Sequence, residues 1–239
     1  MRTLDNLVEH LKKHKDAVII LGPGIDPTKK DYDIAEFNEH YNRKQLRRNP
    51  EALWNFFENN IYRDINYSSV YEVASNIDHS LIVDQNNNGS IAATYLHGHI
   101  NLFSCQKCKT TYTINSVKTD EGFNTECEVC GSAIRPSVLL SGERYNQVQF
   151  DELKKCLLNT HTLILIGMDY SEGALLNLIC DYGDMKAQIN SDGNPDNERM
   201  IVVVQSKEED FNPNEITRCE FLVKDDIPAA MKRLMNSYV

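Results

Sequence analysis

The stretch "VIILGPGIDPTKK", residues 18–30, is an apolar run that ends in two glycines and is followed by a helix-start signal. This order of strand, glycine-rich turn and helix is typical of loops that bind the phosphates of a dinucleotide. Pro23 stands between Gly22 and Gly24, and proline has no backbone N–H to point at a phosphate. The stretch therefore predicts a buried strand followed by a nucleotide-binding loop that lacks one donor.

Other apolar runs predict further strands, and several of them show no alternation of polar and apolar residues. Such runs are buried on both faces, so we predict an α/β fold with a parallel sheet covered by helices on both faces. The helical patterns between and after the runs include "FDELKKCLLNT" at 150–160, "GALLNLICDYG" at 173–183 and "DIPAAMKRLMNSYV" at 226–239. Two insertions interrupt the alternation, at 38–65 and at 104–136, and we predict that they form a smaller lobe. The predicted strands are 17–21, 69–74, 91–96, 138–140, 163–167, 200–204 and 220–223.

The composition limits the classes of partner. The chain has 239 residues with a formal net charge of -10, which argues against nonspecific nucleic-acid binding because that affinity comes from Lys and Arg. An anionic partner needs a local basic patch, and "NRKQLRR" at 42–48 is the best one, although such a run is usually a solvated helix face. The N-terminal segment is an amphipathic helix and the longest apolar runs are too short to span a bilayer. We expect an intracellular, cytoplasmic protein with no membrane partner.

Four of the seven cysteines form two close pairs. Cys105-x2-Cys108 is followed after 18 residues by Cys127-x2-Cys130. Each pair places two thiolates on one turn, so the four can surround a zinc ion tetrahedrally. A site of four thiolates leaves no open position, and we therefore predict one structural zinc per chain.

The cysteine pairs are flanked by "YLHGHINLFSC" at 95–105 and "CGSAIRPSVLLSGE" at 130–143. These segments resemble the sirtuin family of NAD-dependent protein deacylases, in which a Leu-His-Gly motif precedes the zinc ribbon and an Arg-Pro-x-Val and Gly-Glu segment follows it. "SNID" at 75–78 resembles Gln-Asn-Ile-Asp, and "DIAEFN" at 33–38 and "NPEALWNFF" at 49–57 resemble further family segments.

The resemblance implies a Rossmann-type doubly wound parallel sheet with a small lobe made of a zinc ribbon and a helical insertion. The NAD-binding domain is then 1–37, 66–103 and 137–239, and the small domain combines 38–65 with 104–136. His97 falls at the catalytic base, Asn76 and Asp78 at positions that order the nicotinamide ribose, and Phe37 at the aromatic over the nicotinamide pocket. The residues implied to contact NAD are Gly22, Pro23, Gly24, Asp26, Phe37, Ser75, Asn76, Asp78, Gly167, Met168, Asp169 and Gln205.

Departures from the family pattern concentrate on the cofactor side. Pro23 replaces alanine and Asp26 replaces serine in the first loop, while Asn38 replaces the arginine after Phe37. Met168 and Asp169 stand where the family has two hydroxyl residues. A carboxylate close to a phosphate repels it, so we expect weak NAD binding, although Asp26 also fits a helix N-cap. Ser141 replaces a bulky phenylalanine on the acyl side.

Three functions stay open at this point. The first is an NAD-dependent deacylase or ADP-ribosyltransferase that acts on an acylated protein or another NAD acceptor and releases nicotinamide. The second is a catalytically impaired binding or interaction module, which the cofactor-side departures favour. The third is an NADase, because the same ribose chemistry with water as acceptor hydrolyses NAD.

Overall fold

The computed structural model describes residues 4–25, 33–65, 67–168, 170, 173–206 and 218–238. Asp26 and Asp169 lie outside the described residues. The strands are β1 Ala17–Leu21, β2 His79–Asp84, β3 Thr94–Tyr95, β4 Leu102–Cys105, β5 Thr111–Thr113, β6 Lys118–Thr119, β7 Gly122–Phe123, β8 Ile134–Pro136, β9 Thr162–Ile166, β10 Met200–Gln205 and β11 Phe221–Lys224.

Helices connect these strands and build most of the small lobe. The α-helices are α1 Leu4–His14, α2 Ile34–His40, α3 Arg43–Arg48, α4 Pro50–Phe56, α5 Ser69–Asn76, α6 Ile114–Val117, α7 Gln147–Asn159, α8 Gly173–Asn190 and α9 Ile227–Tyr238. A 3₁₀ turn spans Pro23–Ile25, and a π-helical turn, Phe57–Ile61, continues α4. No helix in the described part of the chain is long and apolar enough to cross a bilayer.

The large lobe is a six-stranded parallel sheet in the order β11-β10-β9-β1-β2-β3. Every residue of β1, β9 and β10 is buried, as expected for apolar runs covered on both faces. Ile19 and Leu21 pack towards α1, α5 and α9, while Val18 and Ile20 pack towards α7 and α8. The predicted doubly wound α/β fold is confirmed. The strand order reverses between β1 and β9, which opens a crevice at their carboxyl ends.

The prediction of a strand at 69–74 is wrong, because these residues belong to helix α5. Val70, Tyr71, Val73 and Ala74 form a short apolar run that periodicity alone cannot distinguish from a buried strand. In the helix the same four residues lie buried in the core shared with α9. The strand is the next segment along the chain, β2, whose first two residues are exposed and therefore weaken the pattern.

Two other predicted strands are shorter than expected or missing. Within 91–96 only Thr94–Tyr95 pairs, with the end of β2. Residues 138–140 belong to no strand of the described part, although the Leu139 N–H donates to the His97 carbonyl at 2.9 Å.

The small lobe has a core of its own that joins the helical insertion to the cysteine ribbon. Trp54 of α4 stacks on Phe103 of β4, with ring centroids 5.8 Å apart, and Phe57 meets Phe103 edge to face. Cys105 and Cys127 are buried in the same cluster. Residues from 38–65 and from 104–136 thus share one core, although the exact domain boundaries remain a prediction.

Candidate active site

A cavity of about 780 Å³ lies between the two lobes. The large lobe contributes residues that directly follow its strands, such as Gln85 and Asn86 after β2 and His97 after β3. The other side is formed by Phe37 of α2 and by Val138 and Leu140, which pack on the core of the small lobe. The cavity therefore occupies the carboxyl edge of the parallel sheet, where ligands of such folds bind.

His97 lies on the wall of this cavity, as predicted, and a backbone carbonyl fixes its ring. Its Nδ1 lies 2.6 Å from the Gln85 carbonyl oxygen. A carbonyl oxygen only accepts, so Nδ1 donates and the lone pair of the neutral ring is on Nε2. The ring is also 5.7 Å from that of Tyr145. This tautomer is the one a general base at Nε2 requires, and the role of His97 as that base stays a prediction.

Asp84, the last residue of β2, carries a buried carboxylate near His97. Tyr71 donates a hydrogen bond of 2.8 Å to Asp84 Oδ2, and the Asn86 N–H donates one of 2.8 Å to Oδ1. Burial raises the pKa of the Asp84 carboxyl to about 6, although these hydrogen bonds and the nearby His97 oppose the shift. Asp84 thus fixes the turn that carries Gln85 and Asn86 into the cavity wall.

Asn86 joins this turn to the glycine-rich loop. Its Nδ2 donates to the Gly22 carbonyl at 3.0 Å and to Asp84 Oδ1 at 2.9 Å. The side-chain oxygens of Asn86 and Asn87 are buried and have no hydrogen-bond partner among the described residues. Both residues line the cavity. They offer acceptors to a ligand with N–H or O–H groups.

The prediction that Ser75, Asn76 and Asp78 contact NAD is wrong, because these residues lie away from the cavity. These residues precede β2, at the amino edge of the sheet, whereas the cavity lies at the carboxyl edge. Asp78 is exposed and accepts a 3.0 Å hydrogen bond from Tyr238, and Asn76 Nδ2 donates to the carbonyl of Glu72 within α5. The segment "SNID" matches the family motif in residue type, but it does not follow a strand at the edge where the cavity lies.

The residues that sequence reasoning missed are Gln85 and Asn86. They begin the segment "DQNNNGS", which the polar composition alone assigns to a surface loop. The position of Gln85 and Asn86 in the sequence could have identified them, because a Gln-Asn pair directly after the run "LIVD" lies at the carboxyl end of a strand.

The glycine-rich loop uses its backbone donors inside the protein. The Gly22 N–H donates to the Ile166 carbonyl at 2.7 Å, and the Gly24 N–H donates to the Gly167 carbonyl at 2.9 Å. The Ile25 N–H points back to the Gly22 carbonyl at 3.4 Å, and Pro23 has no N–H. Residues 22–25 therefore present no unused backbone N–H to a phosphate.

The glycines of this loop are required by close packing against the loop after β9. A Cβ on Gly22 would lie 2.1 Å from the Gly167 carbonyl oxygen, and Gly167 itself has a φ of +58°. Met168 is buried in the core of the large lobe, and Gln205 is buried at the end of β10. None of Gly22, Pro23, Gly24, Gly167, Met168 or Gln205 lines the cavity in the described part of the chain. Their predicted contacts with NAD remain predictions.

Phe37 and Asn38 close the small-lobe side of the cavity. Phe37 packs against Tyr41 and Phe56, with centroid distances of 5.5 and 6.1 Å. Ser141 donates a short hydrogen bond to Asn38 Oδ1, and the Ser141 N–H donates to the Tyr41 carbonyl at 2.8 Å. The two residues that depart from the family pattern here, Asn38 and Ser141, thus bond to each other across the cavity rim.

A buried ion pair supports the same rim. Arg135 donates to both oxygens of Glu143, at 2.7 and 2.9 Å, and Arg43 donates to Glu143 Oε1 at 2.9 Å. Burial opposes ionisation of Glu143, but the hydrogen bonds from Arg135, the Leu140 N–H and Arg43 outweigh it and lower the pKa of the carboxyl to about 2. Glu143 is therefore charged and fixed at neutral pH.

The four paired cysteines converge in the ribbon, as the spacing predicts. All four Sγ atoms lie within 4.8 Å of one another, and the pairs Cys105–Cys130 and Cys108–Cys127 are each separated by 3.5 Å. Four sulfurs around zinc are about 3.8 Å apart when each Zn–S bond is about 2.3 Å. Hydrogen bonds from Ser132 lower the pKa of the Cys130 thiol to about 6, which favours the thiolate. The set fits a structural zinc ion.

The family comparison agrees with this arrangement. The model of the Sir2 family matches residues 23–171 of the chain. The chain belongs to the Sir2 family. The match begins at Pro23 in the glycine-rich loop and extends beyond β9, and so includes the helical insertion, the cysteine ribbon and His97.

Curated relatives of this Sir2-family chain are similar over part of their length. The chain is 32% identical over 119 residues to an NAD-dependent protein deacetylase of Staphylococcus aureus (strain MRSA252), a region that covers 48% of this chain and 47% of the relative. It is 30% identical over 117 residues to an NAD-dependent protein deacetylase of Staphylococcus epidermidis, with the same two coverages. The chain thus aligns with about half the length of the curated relatives it matches.

Solved Sir2 structures match almost the whole fold. One, concerned with the mechanism and regulation of Sir2 enzymes, has a TM-score of 0.74 and 20% identity, and the alignment covers 98% of this chain and 96% of that one. Another, of Sir2 with a p53 peptide and NAD+, has a TM-score of 0.71 and 18% identity, with 98% of both chains covered. This Sir2-family chain therefore has the two-lobed Sir2 fold.

Proposed function

We propose that this chain is an NAD-dependent protein lysine deacylase. The observation that carries the proposal is His97, whose ring is fixed by the Gln85 carbonyl on the wall of the cavity between the lobes. Relatives named NAD-dependent protein deacetylase support the same assignment.

Several cavity residues offer groups that suit the nicotinamide half of NAD. Asn86 and Asn87 supply side-chain acceptors that suit the N–H groups of a carboxamide or the hydroxyls of a ribose. Phe37 supplies an aromatic face at the small-lobe side. The loop 22–25, in contrast, has no backbone donor to spare for the pyrophosphate. We therefore expect NAD to bind, but weakly.

The proposed chemistry needs a proton acceptor near neutral pH. NAD supplies a ribose whose bond to nicotinamide can be broken by the oxygen of a substrate acyl group. His97 then accepts a proton from a ribose hydroxyl at Nε2, while the Gln85 carbonyl holds the hydrogen on Nδ1. Phe37 and the segment 138–145 line this part of the cavity.

The test is nicotinamide release from NAD in the presence of an acetyl-lysine peptide. We expect the wild type to release nicotinamide over many turnovers and His97→Ala to lose at least about 100-fold in the steady-state rate, since each turnover requires the later proton transfer to the general base, which contributes on the order of 10²- to 10⁴-fold. His79→Ala is the matched control, because His79 is exposed at the amino edge of the sheet. Release that does not depend on the peptide would indicate an NADase instead.

The internal hydrogen bonds of the glycine-rich loop favour a second candidate, a binding module without turnover. Calorimetry with NAD and ADP-ribose separates the two. If neither ligand binds to the folded protein at millimolar concentration, the deacylase proposal is wrong and the binding module is favoured.

A further inference from the structure

A basic groove runs along the small lobe next to the candidate active site. It consists of a cavity of about 600 Å³ and an adjoining one of about 360 Å³, which share Arg43 and Arg47. One carboxylate, that of Glu143, lines the groove in the described part of the chain. The cationic side chains of the groove are Arg43, Lys44, Arg47 and Arg48 of α3, Lys109 of the ribbon, and Arg135 of β8.

Most of this positive charge is not neutralised within the protein. Arg135 is paired with Glu143 in the cavity rim. Lys44, Arg47 and Arg48 are exposed and form no salt bridge with any residue that the structure describes. In a chain with a net charge of -10, such a concentration of cations on one short helix favours an anionic ligand at this place.

The groove begins where the wall of the active-site cavity ends. Glu143 lines both cavities, and Arg43 of the groove bonds to it at 2.9 Å. Asn42, the N-cap of α3, forms a parallel bridge with Ser141 of the cavity rim. A chain that leaves the active site over Ser141 therefore reaches α3 directly.

We propose that the basic groove binds an acidic segment of about three residues of the protein substrate, adjacent to the acylated lysine. This inference rests on the proposed deacylase function. The length follows because α3, with six residues, is about 9 Å long and an extended peptide advances about 3.3 Å per residue, so about three residues span the helix.

The groove suits an acidic peptide better than a nucleic acid. Proteins that bind single strands stack bases on aromatic side chains, and no aromatic residue lines either cavity of the groove in the described ranges. A long polyanion would also be repelled by a chain whose net charge is -10. A short acidic segment needs only the groove itself.

The test compares fluorescein-labelled acetyl-lysine peptides that carry either Asp and Glu or Gln and Asn at the flanking positions. We expect the wild type to bind the acidic peptide about tenfold more tightly at low salt, since several exposed ion pairs each contribute modestly, and we expect the preference to shrink as salt is added. The double variant Lys44→Glu/Arg47→Glu should lose the preference. Arg43 and Arg135 are left unchanged because they hold Glu143.

The matched control is Lys154→Glu/Lys155→Glu, which changes the charge equally on the exposed face of α7. It should keep the preference. Equal affinities for the two peptides in the wild type, a preference without salt dependence, or a preference that survives in the α3 variant would each overturn the proposal. A single-stranded RNA 12-mer that binds the groove more tightly than the acidic peptide would overturn the assignment to a peptide.

Separate outcomes distinguish this proposal from the deacylase function. If both peptides are deacetylated in the presence of NAD with equal affinity, the function stands and the groove proposal fails. In the opposite outcome, neither peptide is deacetylated, but an unacetylated acidic peptide binds to the wild type and does not bind to Lys44→Glu/Arg47→Glu. The groove proposal then stands and the deacylase function fails.

Discussion

Among single residues, Pro23 offers a test of the glycine-rich loop. We expect Pro23→Ala to lower the dissociation constant for NAD about fivefold, because a restored N–H that reaches a phosphate contributes about 1 kcal/mol. The measurement is isothermal calorimetry. The same change releases backbone freedom in the unfolded chain and should cost up to about 1 kcal/mol of stability.

Pro228→Ala is the control for that experiment, since Pro228 lies in the first turn of α9, away from the cavity. It should leave the affinity for NAD unchanged. An affinity of Pro23→Ala equal to that of the wild type would mean that residue 23 does not face the cofactor.

The residues of the candidate site differ in how well the sequence predicts them. The Leu-His-Gly motif identifies His97 because the histidine and the cysteine ribbon that follows it are close in the chain, and local spacing survives folding. The match that selects Asn76 and Asp78 compares residue types without the position of the next strand. A residue before a parallel strand and a residue after it lie at opposite edges of the sheet, and Asn76 and Asp78 precede β2 whereas the site follows it.

Among helices and strands, the predictions are confirmed where the length of a segment or the spacing of its apolar residues distinguishes a helix from a strand. They are wrong where a short apolar run fits both. The long helices α7, α8 and α9 were predicted from their patterns, and β1, β9 and β10 from runs that fit a strand buried on both faces. In α5, β-branched and aromatic residues favoured a strand, and only tertiary packing against α9 decides for the helix.

The cysteine ribbon gives the element-scale prediction. Protein purified without added zinc should contain about one zinc per chain, and Cys130→Ser should lose the metal. Because Cys105 and Cys127 lie in the small-lobe core, loss of zinc should also lower the melting temperature by roughly 10 °C, as expected when a few kcal/mol are lost from a domain of this size. Metal analysis and calorimetry measure the two effects.

Cys180→Ser in α8 is the matched control, as this thiol is remote in sequence from the ribbon and outside the four-cysteine cluster. It should keep the zinc. Wild-type protein that is well folded and free of metal would contradict a structural zinc site.

At the scale of the whole molecule, a histidine cluster at the amino edge of the sheet should make stability depend on pH. The His14 ring lies between those of His10 and His161, at 4.5 and 4.1 Å, with Lys13 and Asp16 nearby. Burial, together with the neighbouring histidines and Lys13, lowers the pKa of His14 from 6.5 to about 4. The folded state therefore disfavours protonation of His14.

The sign of the effect follows from the depressed pKa. The contribution of neutral His14 to the free energy of unfolding is fully present above pH 6.5. It is lost as the pH falls towards 4, because the unfolded chain binds the proton at a higher pH than the folded chain does. His14 is partly exposed, so we expect a loss of only about 1 kcal/mol in the free energy of unfolding. Urea denaturation at pH 7, 5.5 and 4 measures it.

His14→Gln should remove this part of the pH dependence, while His79→Gln, a change at an exposed histidine of β2, should leave it in place. The same slope between pH 6.5 and 4 in His14→Gln and in the wild type would show that the cluster does not titrate as described.

The overall architecture was the most predictable level, because unalternating apolar runs separated by helices permit few arrangements other than a covered parallel sheet. The shared core of the small lobe is harder to predict from the sequence, since Trp54 and Phe103 are far apart in the chain and no local pattern joins them. The wall of the cavity between the lobes is also hard to predict, because it depends on long-range hydrogen bonds such as that from Asn86 to Gly22.

The close contact between Gly22 and Gly167 bears on how this protein can change over evolutionary time. Because a side chain at Gly22 would collide with the neighbouring loop, the glycine is maintained by the stability of the fold even in a lineage that no longer uses a nucleotide. Substitution is more readily tolerated at Pro23, whose ring is partly exposed. A loop of this kind can therefore keep the outline of a nucleotide site after selection for the nucleotide has ended.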